Sequence, residues 1–245
     1  MSVFSRKDSM KSNVIEKQSI PQHIAIVMDG NRRWARLHKL EDLKGHERGA
    51  ETLEKLVDEA TKLGIKTITV YALSTENIKE RAKREVLGLF NIFRKGYHTR
   101  LIKMMQKGVR VTIIGEIEGL PSTIRKIINE IRKTYLKSES IKLNIALNYG
   151  AKKELVQAIK EIVKDGINVE RINETLVERH LYTNGQTDPD LVIRTGGRSR
   201  LSNFLLWQTA YSEFYFTKTL WPDFNEFELK KAINWYQDQK RNFGK

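Results

Sequence analysis

Apolar residues along this chain fall by turns into short unbroken runs and into stripes spaced three and four residues apart. The runs are rich in β-branched residues and predict strands over 23–28 (HIAIVM), 66–73 (KTITVYAL), 109–114 (VRVTII), 141–147 (IKLNIAL), 190–194 (DLVIR) and 213–216 (EFYF). The stripes predict helices. Over 47–63, Ala50, Leu53, Leu56, Val57, Ala60 and Leu63 share one face; over 121–135, Ile124, Ile127, Ile128, Ile131 and Tyr135 do, behind a proline suited to a first turn. Further helices are predicted over 80–107, 152–164, 173–181 with Asn173 as N-cap, and 226–239. Strand–helix alternation of this kind predicts an α/β fold: a single domain with a central parallel sheet of about six strands flanked by helices and joined by right-handed crossovers. In such sheets ligands bind outside the carboxyl ends of the strands, so chemistry is sought there.

Composition narrows the options. The chain has 245 residues and no cysteine, which excludes a disulfide framework, a thiolate zinc site, an iron–sulfur cluster and a cysteine nucleophile. The five histidines show no HExxH spacing. No apolar run approaches the roughly 18 residues of a spanning helix. Residues 1–20 are polar and mixed in charge, without the apolar stretch of a secretory leader. They read as an extension, helical or disordered, to a domain over 21–245, and the expected location is cytoplasmic. Lys and Arg number 44 against 30 Asp and Glu, a net charge of +14 that favours anionic partners. Much of it is ordinary surface pairing, because acids lie three or four residues from lysines over 79–85 and 151–165. Aromatics do not alternate with the basic runs as on a base-stacking platform.

Three strand ends share a character. The first continues as MDGNRRWAR, with Asp29 at the tip, Gly30 permitting a sharp turn, and Asn31 to Arg36 able to open a helix. Free N–H groups at a helix start and the guanidinium groups of Arg32, Arg33 and Arg36 suit phosphate oxygens. Read alone, the same residues also fit a capped helix with solvated arginines. The second strand ends in LSTEN, where Ser74, Thr75, Glu76 and Asn77 resemble a capping box as much as a binding site. The fifth ends in RTGGRSRLS, where Arg194, Arg198 and Arg200 crowd around Gly196–Gly197 and Ser202; such clustering is repulsive unless an anion is present. Together the tips make a rim of arginines, hydroxyls and two acids. A lone aspartate beside phosphate ligands suits hydrated magnesium. Neither GxxxxGK(S/T) nor GxGxxG occurs. Residues 86–93 (VLGLFNIF) carry more apolar residues than one helix face needs. They suit a deeply buried helix, or one with a side on the core and a side on an apolar cavity.

The strings HIAIVMDGNRRWA, GHERGA, YALSTEN, LNIALNYG, DLVIRTGG and SNFLLWQTAYSEFYFTKTLWPDF, in this order over residues 23–243, resemble the cis-prenyltransferases, the undecaprenyl diphosphate synthase or isoprenyl transferase family. No Asp-Asp pair occurs, so the aspartate-rich motif of the all-helical trans-type synthases is missing. The resemblance implies condensation of isopentenyl diphosphate units onto an allylic diphosphate, farnesyl or geranylgeranyl, to give a long-chain Z-polyprenyl diphosphate for glycosyl carrier lipids. It implies Mg2+ as cofactor, a homodimer, and a peripheral contact at the inner face of the membrane. By the same resemblance Asp29 and Glu213 would serve the metal. Gly30, Asn31, Arg32 and Arg33 would hold the allylic diphosphate. Arg194, Arg200 and Ser202 would hold isopentenyl diphosphate. Ser74, Glu76 and Asn77 would position the reacting ends, with Asp29, Ser74 and Asn77 as the catalytic set. Trp34, His46, Thr75 and Arg81 would complete the substrate pocket.

This chain departs from the family pattern at several positions. Arg32 replaces a frequent Gly, Asp42 a frequent Arg, and Ser199 a frequent His. The stretch after Asn77 lacks the usual Trp and Pro, and in the tail Arg241 stands one step early. Two rivals remain at this stage. A non-catalytic subunit of the same fold would be expected to lose the Asp of MDGN, which is present. A nucleic-acid-binding protein would show a steep salt slope.

Overall fold

A computed structural model describes residues 20–136 and 138–239. Most of the predicted extension and the tail around Arg241 lie outside the described residues. The six expected strands are present: β1 (His23–Val27), β2 (Thr67–Ser74), β3 (Val109–Ile114), β4 (Ile141–Tyr149), β5 (Leu191–Arg194) and β6 (Glu213–Phe216). They form one sheet in the order β3-β4-β2-β1-β5-β6, with every neighbouring pair parallel. Between them run α1 (Asn31–Leu37), α2 (Asp42–Leu63), α3 (Thr75–Glu80), α4 (Lys83–Gly96), α5 (Ile102–Gln106), α6 (Ser122–Lys133), α7 (Ala151–Lys164), α8 (Glu174–Arg179) and α9 (Glu226–Gln237).

Helices cover both faces, so the strands are apolar on both sides, as a buried parallel sheet requires. On β1, Ile24 and Ile26 face a large core that includes residues of α2, α4, α6 and α9. Ala25 and Val27 face a smaller one around Tyr149, Phe204 and Leu205. This second face carries buried polar networks. Neutral His23 joins the Thr187 carbonyl (2.6 Å) and the Thr69 hydroxyl (2.7 Å). Glu154 accepts from Tyr149 Oη (2.5 Å), Gln208 and the backbone N–H of Tyr182.

Two expected helices differ in extent. The one predicted from residue 47 begins at Asp42, because the GHERG stretch carries no apolar stripe yet is helical. Gly45 and Gly49 stand where α1 crosses α2. A Cβ at 45 would lie 1.9 Å from the Asn31 carbonyl oxygen, and one at 49 would lie 2.3 Å from Asn31 Oδ1. At 45 backbone packs on backbone, and at 49 the Asn31 and Trp221 side chains fill the space, so glycine fits both. Gly45→Ala is expected to push α1 off α2, lowering stability by about 1–3 kcal/mol and activity by more than that, since α1 carries site residues; urea midpoints compared with turnover check this. The helix predicted over 80–107 is broken at Arg81–Ala82 and again by a π-helical turn, Tyr97–Leu101.

Candidate active site

Chain order reverses about β1: β2 lies on one side of it and β5 on the other. The crevice at their carboxyl ends is the topological switch point, where ligands of such sheets bind. The tips of β1, β2 and β5 meet there at the mouth of a cavity of about 830 Å3. Ten of the sequence-predicted site residues line it: Asp29, Asn31, His46, Ser74, Glu76, Asn77, Arg81, Arg194, Arg200 and Ser202.

Asp29 is the hub of the mouth. Its Oδ1 accepts from Arg33 Nη2 (3.0 Å) and its Oδ2 from Arg194 Nη2 (2.9 Å), and the carboxylate is 29% exposed. Arg194, only 5% exposed, also donates to Ser202 Oγ (2.8 Å) and to the Arg200 carbonyl. Thr195 Oγ1 donates to the Asp29 carbonyl at 2.7 Å, locking the two tips together. Gly196 is required by this arrangement: its φ is +79°, and a Cβ there would meet Arg33 Nη2 at 2.4 Å. The Gly196 and Gly197 N–H groups donate to the Thr219 and Thr217 carbonyls. They are thus engaged within the fold, and α1 is only seven residues long. Guanidinium groups, more than backbone N–H groups, are what this mouth offers an anion.

The loop after β5 holds Ser202, Asn203 and Leu205 at φ of +54°, +66° and +47°. Left-handed backbone in three non-glycine residues is strained and persists only where the surroundings enforce it. Here Asn203 supplies the enforcement. Its Oδ1 accepts from the Lys152 N–H (2.9 Å), its carbonyl accepts from the Ala151 N–H (2.9 Å), and its Nδ2 donates to Glu76 Oε1 (2.9 Å). Burial raises the Glu76 pKa, but hydrogen bonds from its own backbone, Asn203, Ser74 and Thr75 outweigh it and hold the carboxyl below its usual range. Ser74 caps α3 by accepting from the Asn77 N–H at 3.0 Å, and it lines the cavity as well. The capping reading of LSTEN thus holds, and the capping hydroxyl also faces the cavity. Asn203, Lys152 and Tyr71 also line the cavity, although the sequence reading passed over them. Asn203 stands next to Ser202 and Tyr71 opens YALSTEN, so proximity to the motifs was the available signal.

Among the described residues five buried side-chain polar atoms lack hydrogen-bond partners, and three of them, Asn31 Oδ1, His46 Nε2 and Arg194 Nε, belong to residues lining this cavity. Such atoms are rare in native structures, and at a cavity wall they are donors and acceptors open to a ligand or water. Burial, and then the charges of Arg81 and Arg32, push the His46 pKa down to about 4; burial does the same to His23. Both rings are neutral in the fold at pH 7. The unfolded chain protonates them near the ordinary 6.5, so stability falls as pH drops below 6.5 and the loss levels off near 4. Each is expected to remove about 2 kcal/mol between pH 6.5 and 5. Urea midpoints at pH 7 and 5 check this, with His46→Asn losing about half of the difference.

The remaining predicted residues do not line the cavity. Arg33 reaches Asp29 from α1, Gly30 (φ +117°) turns the chain into α1, and Thr75 is buried behind Ser74. Arg32 is turned away: its Nε donates to Asp42 Oδ2 (2.8 Å), which Arg36 also grips (3.0 Å). The acid at 42 holds both cations beside the mouth. Trp34 stacks on His38 at 4.1 Å and donates to Asp223 (2.7 Å), outside the cavity wall. Glu213 pairs with Leu191 at the amino end of β5, three residues from Arg194, so within one chain it lies away from the rim.

Below the mouth the wall turns apolar. Ala50 and Leu53 of α2, Leu89, Ile92 and Phe93 of α4, and Leu73, Ile145 and Leu147 of the sheet line it. Val86 and Phe90 of the same α4 face the core, so residues 86–93 serve both, core on one side and cavity on the other. An arginine-rimmed opening over a greasy tunnel can take an amphiphile with an anionic head.

The comparisons assign the class. Residues 27–244 match the family model for undecaprenyl diphosphate synthase. Isoprenyl transferases of Clostridium tetani and Chlamydia muridarum are each 41% identical, over 99% of this chain and 98% of theirs. The solved structure of lavandulyl diphosphate synthase from Lavandula x intermedia, in complex with dimethylallyl diphosphate, superposes with a TM-score of 0.86 at 33% identity, covering 93% of this chain and all of that one. The chain belongs to the isoprenyl transferase, or cis-prenyltransferase, family, whose members are enzymes that transfer prenyl groups.

Proposed function

We propose that this chain condenses isopentenyl diphosphate onto a farnesyl or geranylgeranyl diphosphate starter, repeatedly, to make a long-chain Z-polyprenyl diphosphate of the kind used as a glycosyl carrier lipid precursor. One observation carries the reading: the basic mouth and the apolar tunnel are a single continuous cavity. The dimethylallyl diphosphate of the lavender structure supports an allylic diphosphate here.

In each cycle the π electrons of isopentenyl diphosphate form a bond to the allylic carbon, the carbon–oxygen bond to diphosphate breaks, and a proton leaves to give the new Z double bond. The leaving group gathers negative charge as that bond breaks. Arg33, reaching in beside Asp29, offers a fixed donor to that charge without reorganising, the arrangement that lowers barriers most. Arg194, Arg200 and Ser202 hold the second diphosphate. Glu76 and Asn77 keep the β2 tip and the strained loop in register, so the two reacting ends meet. The lengthening tail enters the tunnel, where burial contributes about 0.8 kcal/mol per CH2.

Among the described residues no cluster of three or more His, Asp or Glu surrounds a metal position. The donors present nonetheless fit magnesium, which takes one or two carboxylates and completes its shell with phosphate oxygens and water. Asp29 is a partly exposed carboxylate at the mouth of the cavity. Held there with the diphosphates, Mg2+ would neutralise the charge of the departing group. Glu213, on the edge strand β6, can serve a site only from a second copy, so a metal role for it goes together with the homodimer we propose.

No described helix is long and apolar enough to cross a membrane. The peripheral contact we propose instead uses exposed Leu37, Leu40 and Leu87, among Arg36, Lys39 and Arg84. Radiolabelled isopentenyl diphosphate, an allylic starter and magnesium test the reading. Butanol-extractable product that lengthens with time supports it. A pure protein that makes no product leaves the non-catalytic subunit as the better account.

A further inference from the structure

Carboxylates of the chain itself already hold several guanidinium groups at the mouth. Arg33 and Arg194 share Asp29 (3.0 and 2.9 Å), and Arg81 holds Glu85 (2.8 Å). Asp29 and Arg81 line the cavity. Asp42, the first residue of α2, does not, yet it grips two further arginines. Its Oδ2 accepts from Arg32 Nε (2.8 Å) and Arg36 Nη2 (3.0 Å), and its Oδ1 from Arg36 Nε (3.1 Å). Arg32 Nη1 also lies 3.7 Å from Glu85 Oε1, so its guanidinium is one carboxylate away from the cavity-lining Arg81. The Arg32 side chain is 42% and that of Arg36 62% exposed. Packing therefore does not fix these two beside the mouth; the acid does. Hydrogen bonds from Arg36 and Arg32 outweigh burial and hold the Asp42 carboxyl below its usual range, so it stays charged at neutral pH.

We infer that Asp42 is a built-in counter-anion that withholds Arg32 and Arg36 from the starter's diphosphate and so determines how tightly the mouth holds that group. The inference rests on the diphosphate chemistry proposed above. Both arginines stand on α1 with Arg33, whose guanidinium does reach the cavity-lining Asp29. Released from the acid, two long and partly exposed side chains can turn to a diphosphate, whose several oxygens suit the guanidinium fork. Tighter binding of this kind would not raise turnover. Each addition frees a diphosphate that must leave before the next starter end is in place. Contacts made equally to the bound starter and to the departing group slow that exit without speeding the chemistry. Holding two cations back leaves the mouth basic enough to attract an anion and loose enough to release it.

Calorimetric titration of the full chain with inorganic pyrophosphate tests this. Asp42→Asn keeps the size of the side chain and loses its charge, and is expected to tighten pyrophosphate about fivefold or more. Glu41→Gln removes an exposed neighbouring charge that pairs with no arginine, and is expected to stay within about twofold of wild type. Adding Arg32→Gln and Arg36→Gln to Asp42→Asn is expected to cancel the gain. In the elongation assay Asp42→Asn is expected to lower both KM for the starter and kcat. An unchanged or weaker pyrophosphate affinity in Asp42→Asn, an equal gain in Glu41→Gln, a gain that survives the loss of both arginines, or a raised starter KM overturns the inference. Should Asp42→Asn fail to fold, Arg32→Gln in the otherwise wild-type chain decides. A withheld arginine predicts a loss of pyrophosphate affinity below about threefold, and a larger loss overturns the inference. A wild-type protein that binds no pyrophosphate, with or without magnesium, fails the underlying diphosphate reading instead, and this inference with it.

Discussion

Asp29→Asn is expected to lose turnover by about a hundredfold or more, the scale on which removing one transition-state contact acts, while the protein stays folded. Asparagine keeps the size of the side chain and one oxygen to accept from Arg33 or Arg194, so the two tips need not separate. What it removes is the negative charge. In the free protein that charge offsets two guanidinium groups at 3.0 and 2.9 Å. Under the proposed reaction it also holds magnesium. The loss should appear mainly in kcat and shrink little at saturating magnesium, whereas circular dichroism and the urea midpoint should move little. Alanine is a poorer probe, because it strands the buried Arg194 without its acid. Wild-type turnover in the asparagine variant, at any magnesium concentration, would take this carboxylate out of the mechanism.

Arg194→Lys is expected to raise KM for isopentenyl diphosphate at least tenfold and to lower stability as well. The guanidinium spans Asp29 on one side and Ser202 with the Arg200 carbonyl on the other, with Nε left over for a ligand. An ammonium group is a point charge that cannot reproduce this fork. Lysine either keeps Asp29 and releases the strained 202–205 loop, or the reverse. A difference in effect on the two substrates makes the test sharp: KM for the allylic starter should change less, since Arg33 and Asn31 remain. Equal changes for both substrates would argue that Arg194 only braces the rim.

How far the sequence foretold this arrangement depends on whether the determining force was local. Strands announced themselves because a sheet buried on both faces demands runs such as HIAIV and VRVTII. The rim was legible because the sequence clusters arginines and small polar residues directly after those runs. The start of α2 was not, since Gly45 is chosen by the backbone of α1 and Gly49 by the side chains of Asn31 and Trp221, partners that periodicity does not report. The turn away of Arg32 escaped for the same reason: it is set by Asp42, ten positions on, and not by its own motif. Trp34 likewise follows Asp223, distant in sequence. The breaks after α3 and before α5 were hidden because apolar spacing continues across them.

The central position of β1 has a consequence for synthesis. Its two neighbours, β2 and β5, leave the ribosome far apart in time, since Val27 pairs with Tyr71 on one side and with Arg194 on the other. Until some 190 residues have been made, one flank of the middle strand has no pairing partner, and unpaired strand flanks are templates for aggregation. The arginine-bearing rim, formed by the last of these pairings, is therefore among the last parts of the nascent protein to assemble. A chain truncated before β5 should precipitate or need a chaperone, however well its first four strands have formed.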